Sequence, residues 1–320
     1  MSQGASEGPA AERVVPKHVA DARTRLERQE DRELAQRIRD YKATMAILER
    51  RGVALASVAP PETPDRRMPV PLARANRPLR MMAEGDSWFN YPPFPVNGGL
   101  VKRLARFLGV PILDLSKAGD EVRNMLGVEQ RKLIARHLTA GTPSGGYPWD
   151  CFLFSGGGND IVGNPMALWI QPYVPAATPA QLINQPRFSA ALAIVRAGYE
   201  DLIALRDRLS PNTELVFHAY DYAIPDGRGV CGYGPWLWPS FELHGYPTTA
   251  VAVPVVKEML RQFAAMMRQL EASHQRITYV ETQNTLSPVT ASWHNELHPS
   301  DAGYDLVAQK ILARLQVRFP

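Results

Sequence analysis

Apolar and polar positions follow two regimes along this chain. From residue 19 to about residue 50 the sequence is highly charged and lacks Pro and Gly, with Leu34, Ile38, Tyr41, Met45 and Leu48 at three- and four-residue spacing. That is the apolar stripe of an amphipathic helix. Glu33 and Arg37, four apart, add a little local support. Six prolines then follow (Pro60, Pro61, Pro64, Pro69, Pro71 and Pro78). Each fixes φ and removes an amide donor, so the segment reads as an extended linker. Beyond it, short apolar runs alternate with helix-length stretches. The runs 79–83, 111–115, 151–154, 215–219 and 277–280 predict strands; 100–108, 121–137, 189–209, 255–273 and 300–317 predict helices.

Strands separated by helices pair in parallel through right-handed crossovers. The predicted fold class is therefore α/β: a three-layer α/β/α sandwich with a mostly five-stranded parallel sheet, flavodoxin-like in plan, plus an N-terminal helical arm. Four regions follow: 1–18, small, polar and disordered; a helical arm over 19–52; a proline-rich linker over 53–78; and the main domain over 79–320. No internal repeat stands out. The arm has two readings, a partner helix that makes a homo-oligomer or a helix laid on its own domain. The second is the commoner fate of a charge-rich helix with one apolar side.

Composition narrows the partners. Of 320 residues 45% are hydrophobic and 21% charged, with 36 basic against 32 acidic side chains and a formal net charge of +4. So slight a balance gives no basic surface for nucleic acid. Two cysteines, Cys151 and Cys231, make neither a disulfide framework nor a zinc site. The N-terminus carries no apolar signal core and no stretch is long enough for a membrane span, so the default expectation is a cytoplasmic protein.

The unusual residues cluster where such a sheet gathers chemistry, in loops beyond the carboxyl ends of the strands. Gly85-Asp86-Ser87-Trp88 follows the first predicted strand, Ala118-Gly119-Asp120 the second, and Gly156-Gly157-Gly158-Asn159-Asp160 the third; His298-Pro299 lies after the fifth. Singly each is weak: Gly-Asp-Ser is a common turn, and the glycine run could cradle phosphate. A phosphate loop, however, would continue into Gly-Lys-Ser/Thr rather than Asn-Asp-Ile.

In combination and order, these blocks resemble the SGNH/GDSL-like serine hydrolase (esterase/lipase) superfamily, whose four marker blocks supply Ser, Gly, Asn and His. The resemblance spans roughly residues 79–320. It implies Ser87 as nucleophile and His298 as base. It also implies an oxyanion hole from the Ser87 and Gly119 backbone N–H groups and the Asn159 amide, with no cofactor and no metal. The chemistry agrees, since a serine hydroxyl needs an adjacent base and preset donors toward the developing oxyanion lower the barrier. Where the family usually has aspartate three residues before the histidine, this chain has Asn295. Asn295 could orient His298 through its side chain or its backbone carbonyl, Glu296 could swing in as the acid, or the enzyme could be slow.

A zinc reading of His294 and His298 fails on order, His-Asn-Glu-Leu-His, and on the helix-averse residue Pro299. His218, in the fourth strand, reads as a satisfied, partly buried core residue. Trp88, Phe89, Tyr91 and Phe94, with Pro92, Pro93 and Pro95, and a second aromatic group with Trp236 and Trp238, are candidate walls for an apolar or aromatic ester substrate. The expected function is carboxylic ester hydrolysis through an acyl-enzyme. A carbohydrate O-deacetylase with the same machinery, or an inactive scaffold of this fold binding a partner through the N-terminal helix, are the alternatives.

Overall fold

Five apolar runs become five parallel strands, four of them buried on both faces. In the computed structural model, residues 17–50, 73–74, 77–91, 98–230 and 232–320 are described. The strands are β1 (Met81–Gly85), β2 (Ile112–Asp114), β3 (Cys151–Ser155), β4 (Glu214–His218) and β5 (Ile277–Val280), in the order β2-β1-β3-β4-β5. All four pairings are parallel. Every residue of β1, β3, β4 and β5 is buried, as a sheet covered by helices on both sides requires. β1 begins two residues later than its predicted run and takes in Glu84 and Gly85, which puts Ser87 just past the end of a central strand.

The main helices are α1 (Lys17–Arg50), α2 (Leu100–Leu108), α3 (Val128–Ala140), α4 (Gln185–Leu209), α5 (Thr249–Ser273) and α6 (Asp301–Arg318). The helix expected over 121–137 is divided: a single turn, Val122–Met125, ends before Gly127, whose extended backbone starts α3. α4 begins four residues before its predicted start because Asn184 caps it, accepting from the Arg187 N–H. α5 starts ahead of Pro254 and runs through it.

The arm lies on its own domain. Tyr41 and Met45 are fully buried, Leu34, Ile38 and Leu48 pack against the core, and the Tyr41 ring meets Trp149 edge-on at 5.8 Å. Residues 1–16 and 51–72, and with them most of the expected disordered terminus and linker, lie outside the described residues, as do Phe94, Pro92, Pro93, Pro95 and Cys231. Where the linker ends, Ala73–Arg74 pairs antiparallel with Arg77–Pro78. Among the described residues no helix is long and apolar enough to cross a membrane.

Candidate active site

The parallel register sets four loops side by side at one end of the sheet. β1 delivers Ser87 on a tight turn in which Phe89 and Asn90 donate to the Asp86 carbonyl. β2 leads into Gly119, held at φ +85°, a conformation glycine adopts without strain. β3 runs through Gly157, also left-handed at φ +98°, into a short turn carrying Asn159. β5 leads to a loop closed on itself: His294 N–H donates to the His298 carbonyl at 2.8 Å, and Trp293 bridges Pro299. The Trp88 indole N–H donates to the Leu297 carbonyl at 3.0 Å, tying the Ser87 turn to the His298 loop 209 residues away.

These constraints bring His298 Nε2 to 2.7 Å from Ser87 Oγ. Behind the ring, Asn295 Oδ1 lies 2.9 Å from His298 Nδ1 and also accepts the backbone N–H of Leu297 and of His298, each at 2.9 Å. Two backbone donors leave no doubt that the oxygen end of the amide faces this side. His298 Nδ1 must then carry the proton, leaving Nε2 bare to accept from the Ser87 hydroxyl. Burial, and after it the charge of nearby His294, pulls the His298 pKa down to about 3. The ring is therefore neutral at pH 7, the state a general base needs.

Glu296 does not reach His298. Its buried carboxylate accepts four backbone N–H groups, from Gly227, Trp236, Leu237 and Trp238, at 2.6–2.9 Å. The expectation of Glu296 as an orienting acid is thus corrected, since both its oxygens are taken by the loop after β4.

Asn159 and Gly119 come from the loops after β3 and β2. Asn159 Nδ2 donates one hydrogen to the Asp120 carbonyl at 2.8 Å, and the residue lines the same cleft as Ser87 and His298. Among the described residues no protein acceptor takes the N–H of Ser87 or of Gly119.

The cleft is narrow, a cavity of about 40 Å³, and beyond the catalytic-type residues and Asp221 its wall is mostly apolar, with Ile161, Val162, Leu237, Val256, Met259 and Leu260. Of the expected aromatic walls, Trp88 lines it. Trp236 and Trp238 are not among its lining residues: both are half-buried, and the Trp236 ring lies 5.9 Å from that of His298. Phe89 and Tyr91 do not line it. Phe89 stacks on His218 in the core, and Tyr91 packs behind the base, 4.2 Å from the His298 ring. Their place in the turn after Ser87 directs them inward, which corrects the expectation for both.

Sequence reasoning missed the support under the nucleophile. Asp86 is buried beneath Ser87, and its carboxylate accepts from the Tyr220 hydroxyl, the Trp88 N–H at 3.0 Å and the Ser155 hydroxyl at 3.2 Å. Burial pushes its pKa up to about 7 against the pull of those donors. Its position in the Gly-Asp-Ser turn was the available signal. His218 is fully buried rather than partly, with Nδ1 on the Ala219 carbonyl and burial lowering its pKa to about 4; among the described residues Nε2 has no partner. Among the described residues no cluster of His, Cys, Asp and Glu could hold a metal ion.

Comparison with known families adds one decisive match: residues 83–306 fit the GDSL-like lipase/acylhydrolase family, more than half of the chain. The chain belongs to that family. Solved structures similar to this GDSL-like hydrolase include the lipase Lip_vut3 from a goat rumen metagenome, 17% identical with a TM-score of 0.48, covering 74% of this chain and 97% of that one. An extracellular lipase from Streptomyces rimosus is 14% identical with a TM-score of 0.46, covering 73% and 98%. A carbohydrate esterase family 3 protein from Talaromyces cellulolyticus is 10% identical with a TM-score of 0.42, covering 75% and 98%. No curated protein matches the chain.

Proposed function

We propose that this GDSL-like hydrolase cleaves carboxylic esters with an apolar acyl group, through an acyl-enzyme on Ser87. The observation that carries the reading is the 2.7 Å contact between Ser87 Oγ and the unprotonated Nε2 of His298 at the edge of an apolar cleft. As Oγ bonds to the carbonyl carbon, its proton passes to Nε2, and the carbonyl oxygen takes the negative charge. The N–H groups of Ser87 and Gly119 and the second N–H of the Asn159 amide are the donors for that oxygen; losing one such donor typically costs about 2.7–4 kcal/mol of barrier. His298 then returns the proton to the leaving alkoxide as the C–O bond breaks. Water repeats the sequence on the acyl-serine, giving its proton to His298, and the acid leaves as Ser87 is restored.

Asn295 holds the ring in the required tautomer without supplying charge, so the base is a dyad with a neutral orienting residue. The aliphatic wall from α5 and the loop after β4 favours an acyl chain over a sugar ring.

A panel of aryl esters of increasing acyl length, run beside acetylated sugars, tests both parts. Turnover should rise as the acyl chain fills the cleft, and Ser87→Ala should abolish it together with fluorophosphonate labelling. A folded protein that the probe does not label would mean an inactive scaffold. Faster turnover of acetylated sugars than of any longer acyl ester would reject the apolar acyl assignment in favour of a deacetylase.

A further inference from the structure

Asn295 is held from both ends. Its oxygen faces His298, while Nδ2 donates to the Tyr91 hydroxyl at 3.0 Å, and that hydroxyl lies 2.8 Å from His294 Nδ1. An amide N–H can only donate, so the Tyr91 oxygen accepts from Asn295. Burial, followed by the nearby Arg228 charge, lowers the His294 pKa and favours its neutral ring. In the tautomer that carries the His294 proton on Nε2, the phenolic proton has the Nδ1 lone pair as its acceptor. In that tautomer each hydrogen bond in the series points the same way: Ser87 to His298, His298 to Asn295, Asn295 to Tyr91, Tyr91 to His294.

Resting on the serine-esterase reading above, we propose that Tyr91 and His294 are positioning residues. They form a hydrogen-bonded relay through which the neutral Asn295 amide supplies part of the imidazolium stabilisation that a carboxylate would give. The physical basis is cooperativity. Hydrogen bonds arranged head to tail in a low-dielectric interior polarise one another. A hydroxyl that donates is a stronger acceptor, and an amide whose N–H is engaged carries more negative charge on its oxygen. That oxygen is the one facing His298 Nδ1–H, where positive charge grows as Ser87 loses its proton. Asn295 is wholly buried, so water does not dilute the effect. The acid nearest in sequence, Glu296, is committed to the loop after β4 and offers no alternative source of charge.

A double-mutant cycle on the full chain separates this relay from simple packing. Tyr91→Phe keeps the ring against His298 and removes only the hydroxyl, so melting temperature serves as a folding control. In the native background it should lower kcat roughly threefold to tenfold, the worth of about one neutral hydrogen bond, with KM within about twofold. In the Asn295→Asp background the carboxylate supplies the charge directly, and the same change should cost less than about twofold. Equal losses in the two backgrounds would overturn the relay, as would no loss in the native one.

A spectroscopic readout stands independently of the variant at 295. The proton NMR signal of His298 Nδ1–H should move upfield in Tyr91→Phe as its bond to Asn295 weakens, and an unmoved signal counts against the relay. The serine reading fails on different evidence, continued turnover in Ser87→Ala, so the two failures are distinguishable.

Discussion

Arg37 of the N-terminal helix donates to the carbonyl of Ser116, 79 residues along the chain, at 3.2 Å, and to that of Asp114 at 3.0 Å. One residue further, Lys117 pairs with Glu30 of the same helix at 2.6 Å, and Gly119 lies just beyond. The arm therefore grips, from outside the sheet, the loop that presents a proposed oxyanion donor. This buttress falls outside residues 83–306, the part matched by the family. Arg37→Ala should lower kcat several-fold while leaving KM nearly unchanged, because the donor is displaced and the cleft is not. Arg37 is half-exposed, so the stability cost should stay near 1–2 kcal/mol, about the lower part of the range for charged hydrogen bonds. Urea denaturation and steady-state kinetics check the two separately; a stability loss with kcat unchanged would reduce the arm to a brace.

The neutral residue behind the base predicts an unusual pH profile. His298 has its pKa held near 3 by burial and by His294, below its unfolded value of 6.5. The acid limb of kcat/KM, which reports loss of the free base, should therefore lie far below pH 6.5. Asn295→Asp places a carboxylate beside Nδ1, which favours the protonated ring. The limb should move to higher pH, and kcat on its plateau should rise. The stability linkage has the same sign. In the native chain the unfolded ring binds a proton below pH 6.5 that the folded ring refuses down to about pH 3, so this group costs stability as pH falls through that window. The variant should narrow the window, which acid titration followed by circular dichroism would detect. An acid limb at the same pH in both proteins would contradict the argument.

How much of this was legible in the sequence depended on whether a signal was local. Both-face burial turns strands into unbroken apolar runs, so Phe152, Leu153 and Phe154 announced β3 directly. That Ser87, Asn159 and His298 meet at one cleft was legible because each sits in a short block placed by the strand before it. Boundaries failed where one residue sends a mixed signal. The predicted strand stops at residue 83, yet Glu84 is buried inside β1, with Oε1 on the Gly85 N–H. The predicted helix begins after Pro254, yet α5 starts at Thr249 and runs through it, forgoing the bond its N–H would make. Side-chain partners between distant segments were not legible at all. Nothing near Glu296 in sequence indicates the four N–H groups of 227–238, and nothing near Tyr91 indicates Asn295.

Glu296 offers a sharp contrast between two nearly isosteric groups. A carboxylate can accept four N–H bonds, whereas a glutamine amide can accept on its oxygen only. In Glu296→Gln the new NH2 group would face two backbone N–H donors in a fully buried site. Leaving buried donors unmatched costs about 1–3 kcal/mol each. The variant should lose about 2–4 kcal/mol, and proteolysis should open first within 227–238, since that loop loses its anchor. Activity should fall with it, because Leu237 forms part of the cleft wall. A melting temperature equal to that of the native chain would sink this account of the loop.

Two glycines in the same conformation should fail in different ways. Gly119 and Gly157 both have positive φ, at +85° and +98°, so alanine at either pays the left-handed penalty of roughly 1–2 kcal/mol. At Gly157 the added Cβ would also meet Phe263 and Val195 side-chain atoms at 2.7 Å, inside the core. Gly157→Ala should therefore destabilise by clearly more than the backbone term alone, because close-packed neighbours must shift. At Gly119 a Cβ would meet no atom within 4 Å. Gly119→Ala should show only the backbone term in a thermal melt, yet lose kcat by tenfold or more, because the distorted N–H no longer points at the oxyanion; a donor lost from such a hole typically costs about 10²–10³ in kcat. Comparing melting temperature with kcat for the pair tests the assignment. If Gly119→Ala turns over like the native chain, Gly119 is not an oxyanion donor.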